Sequence, residues 1–160
     1  MNNLIHQAYE GEVYGIAFFS YFENVDDNNE QIKLWSALVA VETLTAELLL
    51  KHLLKLTRRY EFKTAEMTEK GDKEAKKWSH LPWPELMLTL SQWVEPYEIK
   101  YRDWLLQCQQ QHNQENKQLE PIFKLIAEHE TAIYQCFKAE LNQQDGRAPL
   151  TSFLDKYSQA

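Results

Sequence analysis

Four glutamates, Glu12, Glu42, Glu98 and Glu130, stand where apolar residues are due on long helical repeats. Glu12 falls four residues after Ala8 and four before Ile16, in line with Ile5 and Phe19. Glu42 falls four after Leu38, three after Val39 and seven before Leu49. Glu98 follows Val94 by four and precedes Tyr101 by three and Leu105 by seven, and Glu130 stands in the same relation to Ile126, Ile133 and Phe137. On a repeat of about 3.6 residues, each acid takes a slot on an inward face. An isolated ionised carboxylate in a protein interior costs on the order of several kcal/mol, and like charges nearby raise that cost. Four such acids therefore need compensation. Divalent metal ions can supply it, because hard cations take carboxylate oxygens and one acid per helix can bridge and cap two ions. Protons, tyrosine hydrogen bonds, or an internal pair such as Glu98 with Arg102 one turn later are the alternatives.

The remaining titratable residues are weighed against the same sites. His129 adjoins Glu130 and can lean in from the neighbouring face as a ligand, or hydrogen-bond at the helix boundary instead. His52 lies roughly 15 Å along the axis from Glu42, too far to share its site, and reads as a polar residue at the end of the bundle. His6, His80 and His112 fall near helix ends or in a connector and read as solvated. Tyr9, Tyr97, Tyr101 and Tyr134 lie on or beside the buried stripes, where they can donate to carboxylates or serve as core aromatics.

Long helices must carry these residues. Apolar residues at helical spacing predict a first helix over about 3–24, ended by Asp26-Asp27-Asn28-Asn29, and a second over about 29–60 with Asn28 or Asn29 as its N-cap. The Lys- and Glu-rich stretch 61–81 shows no continuous apolar face and reads as a helical or irregular connector. Pro82 and Pro84 suit the first turn of a third long helix over about 82–111, and a polar hinge at 112–117 precedes a fourth over about 119–141. Leu150, Phe153, Leu154 and Tyr157 predict a short amphipathic tail helix over about 150–158, docked on the bundle or on a partner subunit of a homodimer. If the third and fourth long helices run antiparallel, Cys108 and Cys136 stand roughly 24 Å apart along the axis and remain thiols. The expectation is a single all-α domain, residues 1–160, built as a four-helix bundle with its four carboxylates in one layer at mid-height.

The segments Gly11-Glu12-Val13-Tyr14-Gly15, Val41-Glu42-Thr43-Leu44-Thr45-Ala46 and Ala127-Glu128-His129-Glu130-Thr131-Ala132 give the chain a pattern that resembles the ferritin-like superfamily of di-iron carboxylate bundles, such as the rubrerythrins. The resemblance covers about 10–141. It implies two Fe or Mn ions held among Glu12, Glu42, Glu98 and Glu130, with oxidase, hydroxylase or metal-handling activity. The family also pairs the glutamates of its second and fourth helices with a histidine three residues later. Here those positions hold Thr45 and Ile133, or Thr131 if Glu128 is taken. The ligand set is then all-carboxylate, or recruits His129, or survives only as a relic in a non-catalytic bundle that works as an interaction or small-molecule-binding module.

Composition bounds the rest. A chain of 160 residues with 44% hydrophobic content holds enough apolar matter for one core. A net charge of −7 provides no basic footprint for nucleic acid or an anionic membrane surface. No apolar run approaches the roughly 20 residues of a membrane span, and the first residues lack the pattern of a signal peptide, so a cytoplasmic protein is expected. No substrate is legible.

Overall fold

The computed structural model describes residues 1–159; Ala160, the last residue of the predicted domain, lies outside them. The described residues form six α-helices and no strand: α1 (Asn2–Val25), α2 (Asn29–Leu53), α3 (Thr64–Trp78), α4 (Trp83–Gln110), α5 (Gln114–Leu141) and α6 (Arg147–Tyr157). None of these helices is long and apolar enough to cross a membrane.

The first two helices form an antiparallel pair. Asp26 leaves the helical conformation at the end of α1, and its carboxylate accepts the Trp35 indole N–H at 2.9 Å. Asn28 caps α2 through its side-chain oxygen, which accepts the Gln31 amide at 3.0 Å. At the other end α2 stops at Leu53, short of the expected 60. The amides of Lys55 and Leu56 bond to the carbonyls of His52 and Leu53, which tightens the last turn. The chain then folds back over the start of α1, where Arg58 Nη1 and Tyr60 Oη both donate to Asn3 Oδ1 at 2.9 Å. His6 stacks on Tyr60 at 4.7 Å between ring centroids, so it is a packed residue rather than the solvated one expected. His52 meets Asn2 Oδ1 at 3.0 Å, at the end of the α1–α2 pair and remote from Glu42.

The connector holds α3, which lies along α1 through small residues. Ala75 is fully buried, and a Cβ at Gly71 would collide with the Tyr14 carbonyl oxygen and lie 3.1 Å from Ala17 Cβ. Backbones approach this closely only where side chains are short, which is why a search for large apolar residues finds no inward face here. Trp78 ends α3 against Phe18 and Trp93, with ring centroids 5.8 and 5.5 Å away.

Helices α4 and α5 also run antiparallel, as Glu95 meets Tyr134, Glu98 meets Thr131, and Cys108 Sγ meets the Asn116 carbonyl. The fourth long helix starts at Gln114 rather than near 119. Asn113 caps it, accepting the Asn116 amide at 2.8 Å, and the buried Asn116 side chain donates to Gln111 Oε1 at 2.7 Å. The polar residues of the expected hinge thus form its first turn.

The tail helix α6 docks on α5 and α2 of its own chain. Leu150 and Phe153 are buried, while Lys156 Nζ reaches Glu128 at 2.8 Å and Tyr157 Oη donates to the same carboxylate. One apolar core joins the long helices: Phe18 of α1 stacks on Trp93 of α4, Trp35 of α2 meets Trp83 of α4, and Phe19 of α1 meets Phe137 of α5. Both cysteines are buried free thiols.

Candidate metal centre

Three helices deliver one buried group. Glu12 from α1, Glu42 from α2 and His129 from α5 place one ligand atom each within 4.8 Å of one another. His129 Nε2 lies 2.9 Å from Glu12 Oε1, 3.3 Å from Glu130 Oε2 and 3.8 Å from Glu42 Oε2. Glu130 sits at the edge, its side chain 12% exposed, whereas His129 is completely buried.

The hydrogen bonding of His129 decides what this group can do. Nδ1 lies 2.6 Å from the carbonyl oxygen of Ile126, an acceptor only, so Nδ1 carries a proton and donates it. Despite its short distance to Glu12, Nε2 has no hydrogen bond of acceptable geometry, and Glu12 Oε2 and Glu42 Oε2 have no partner either. In a neutral ring Nε2 would then present a lone pair to carboxylate oxygens. Lone pairs facing one another in a dry interior repel, so the centre needs something between them: a proton on a carboxyl or on the imidazole, or a metal ion. A histidine that donates one ring N–H to a backbone carbonyl and turns the other nitrogen inward has the usual outer-shell arrangement of a metal ligand. Two carboxylates and one imidazole suit Fe, Mn or Zn among the divalent ions. The residues therefore fit a metal ion, by donor chemistry and by three orphaned buried atoms.

Glycine supports the same point. A Cβ at Gly15, in the middle of α1, would collide with Glu42 Oε1 and come within 2.7 Å of the Glu42 carboxyl carbon. The Glu42 carboxylate thus lies against the bare backbone of α1, in space that any side chain would fill. A glycine in a helix interior weakens the helix by roughly 0.5–1 kcal/mol relative to alanine, and here it makes room for the acid.

His129 reaches the interior because α5 buries two stripes. One is the expected row of Phe123, Ile126, Ile133 and Phe137; the other, Leu125, His129, Ala132 and Cys136, is spaced four, three and four residues apart. Docking of α6 accompanies the second stripe, with the Phe153 ring centroid 6.5 Å from that of His129. His129 on that stripe also faces Glu12 of α1 and Glu42 of α2.

The electrostatics follow from burial. Lost hydration is the main cause that holds the Glu12 carboxyl up at about 8; the hydrogen bond shared with Glu42 opposes the rise and the Glu130 charge adds to it. Glu42 is pushed well above the usual carboxylate range by burial, then by the charge and hydrogen bond of Glu12. Burial also raises Glu130, to about 7, with His129 opposing and Glu42 and Glu98 contributing. Glu12 and Glu42 thus behave as a pair that shares a proton when no metal balances them. Tyr101, whose ring stacks 6.0 Å from that of His129, stays a neutral phenol because burial and then the charges of Glu130, Glu12 and Glu42 push its ionisation up.

Glu98 is also buried but its carboxylate is already occupied. Arg102 Nε and Nη2 donate to its two oxygens at 2.7 and 3.0 Å, and Thr131 Oγ1 adds a bond at 3.1 Å. The structure therefore gathers Glu12, Glu42 and His129 with Glu130 beside them, and engages Glu98 with the one-turn arginine. Of the other candidate donors, Tyr134 contacts Glu95 at the surface and Tyr9 packs on Phe62. No protein-family model, curated protein or solved structure matches the chain.

Proposed function

We propose that this protein is a ferritin-like bundle of α1, α2, α4 and α5 that holds a divalent transition metal, iron or manganese, through Glu12, Glu42 and His129, with Glu130 at hand as a further ligand. The observation that carries the reading is the orientation of His129, whose Nδ1 is spent on the Ile126 carbonyl while Nε2 faces carboxylate oxygens without a hydrogen bond. A bound ion of this class supplies redox or Lewis-acid chemistry, consistent with oxidase, hydroxylase or metal-handling activity. Glu12 and Glu42 would surrender their shared proton on binding, and Ile126 would keep His129 in the binding tautomer. A second ion would need Glu98 released from Arg102.

The test is expression in iron- or manganese-supplemented medium followed by metal analysis. The expected content is about one ion per chain, lost in Glu42→Ala; less than about 0.1 per chain, unchanged in that variant, rejects the reading. The Glu98–Arg102 pair and the lack of Glu-x-x-His favour a second reading, a non-catalytic bundle whose acids are balanced by protons. That reading predicts no metal in the same experiment.

A further inference from the structure

A cleft of about 580 Å³ opens beside the acidic centre, lined by the buried Glu12 and Glu42 with Glu130, and by a mixed-charge set of Lys63, Lys70 and Lys100 with Glu10, Glu66 and Glu74. Its size falls within the usual range of small-molecule sites. Tyr14 and Phe19 from α1 and Trp93, Val94 and Tyr97 from α4 line the space between, so its walls are aromatic and apolar.

Two features at the inner end point to an occupant. Gly11 lies inside α1, yet a Cβ there would meet only the Tyr101 hydroxyl oxygen at 3.5 Å, an ordinary contact. Unlike Gly15 and Gly71, it is not demanded by protein packing. A helix-weakening residue thus stands where the space it leaves open belongs to the cleft. The second feature is Tyr101 itself: the residue lines the cleft, its hydroxyl makes no side-chain hydrogen bond among the described residues, and that oxygen borders the hollow over Gly11 and is open to the cleft.

We propose that this cleft binds a small planar aromatic molecule bearing an acceptor oxygen, seated over Gly11 against Trp93 and Tyr97, with the Tyr101 hydroxyl donating to that oxygen. Bound in this way, the oxygen-bearing end lies next to Glu12 and Glu130, and the rest of the molecule extends along the aromatic wall toward the mixed-charge rim. The binding site stands on its own walls; only its role as a substrate site rests on the metal reading above.

Fluorine NMR titration of the metal-free protein with 4-fluoroacetophenone and 4-fluorobenzoate tests the proposal. At least one probe should bind with a Kd below about 1 mM. Gly11→Leu should weaken binding at least about tenfold without lowering the Tm, because leucine favours the helix but fills the hollow. Tyr101→Phe should weaken it about tenfold, the effect of one lost hydrogen bond to a buried partner. Gly11→Ala, whose Cβ has room, keeps the test open should leucine disturb folding, and should weaken binding less than leucine does. No binding of either probe, or affinities unchanged in the Gly11 and Tyr101 variants, overturns the proposal. Repeating the titration after adding Mn²⁺ separates the two readings. Paramagnetic broadening of the bound fluorine supports both, whereas binding without broadening supports the cleft and removes the metal from its inner end.

Discussion

Replacing Gly15 with alanine should separate the stability of the fold from the capacity of its centre. Alanine in a helix interior is favoured over glycine by up to about 1 kcal/mol. The added Cβ collides with the far end of the Glu42 side chain, not with backbone, and comes within 2.7 Å of the carboxyl carbon. The carboxylate must then move by roughly 1 Å to reach ordinary contact distance, far outside the ~0.2 Å tolerance of a metal–ligand bond. The metal-free variant should therefore be as stable as the parent or more so, with a Tm higher by about 2–4 °C for a chain of this size. Metal affinity should fall by about 10–100-fold, the usual effect of displacing a ligand from its support. Thermal unfolding with and without Mn²⁺ reads both quantities. At a concentration about 100 times the Kd of the parent, the ion contributes about 2.7 kcal/mol, and that increment should fall to about 0.4–1.4 kcal/mol in the variant. A Gly15→Ala protein with a lower metal-free Tm and an undiminished metal increment would refute the placement of Glu42 against α1.

Four further outcomes follow from the structure. The folded protein binds more protons than the unfolded chain between about 4.5 and about 8, because Glu12 is raised to about 8 and Glu130 to about 7 from 4.5. Metal-free stability should thus fall as pH rises through that window, by up to about 1.4 kcal/mol per pH unit for each group, and urea midpoints that rise with pH would contradict this. Metal affinity should move the other way, because binding displaces those protons. Arg102→Gln frees Glu98 from its bidentate partner; the number of Mn²⁺ ions bound in a titration should then exceed the parent value, and an equal number would show that the pair does not exclude a second ion. Gly71→Ala drives a Cβ into the Tyr14 carbonyl and should destabilise by about 1–3 kcal/mol, with faster proteolysis within 61–81 as the check.

The all-α class and the burial of Glu12, Glu42 and Glu98 were legible because periodicity reports which face of a helix points inward, and neighbours four residues away define that face. The Glu98–Arg102 pair was legible for the same reason, being a contact one turn long. His129 was harder. Its stripe on α5 reads as a flank of the expected row, and no local pattern states that distant helices, α1 and α2 with the eleven-residue tail, will cover that side. The packing of α3 was hidden by the opposite cause: Gly71 and Ala75 make a contact surface out of missing atoms, which a count of apolar side chains cannot register. The end of α2 depended on contacts between Asn3 and residues 58 and 60, more than fifty positions away.

The central claim is that the imidazole of His129 and the carboxylates of Glu12 and Glu42 share one ion. Electron spin-echo envelope modulation on the Mn²⁺-loaded protein tests it at the nitrogen itself. A histidine ¹⁴N modulation should be present in the parent protein and absent from His129→Gln, with the folded state of both verified by circular dichroism. Bound manganese without nitrogen modulation in the parent, or modulation that survives in His129→Gln, would contradict the account.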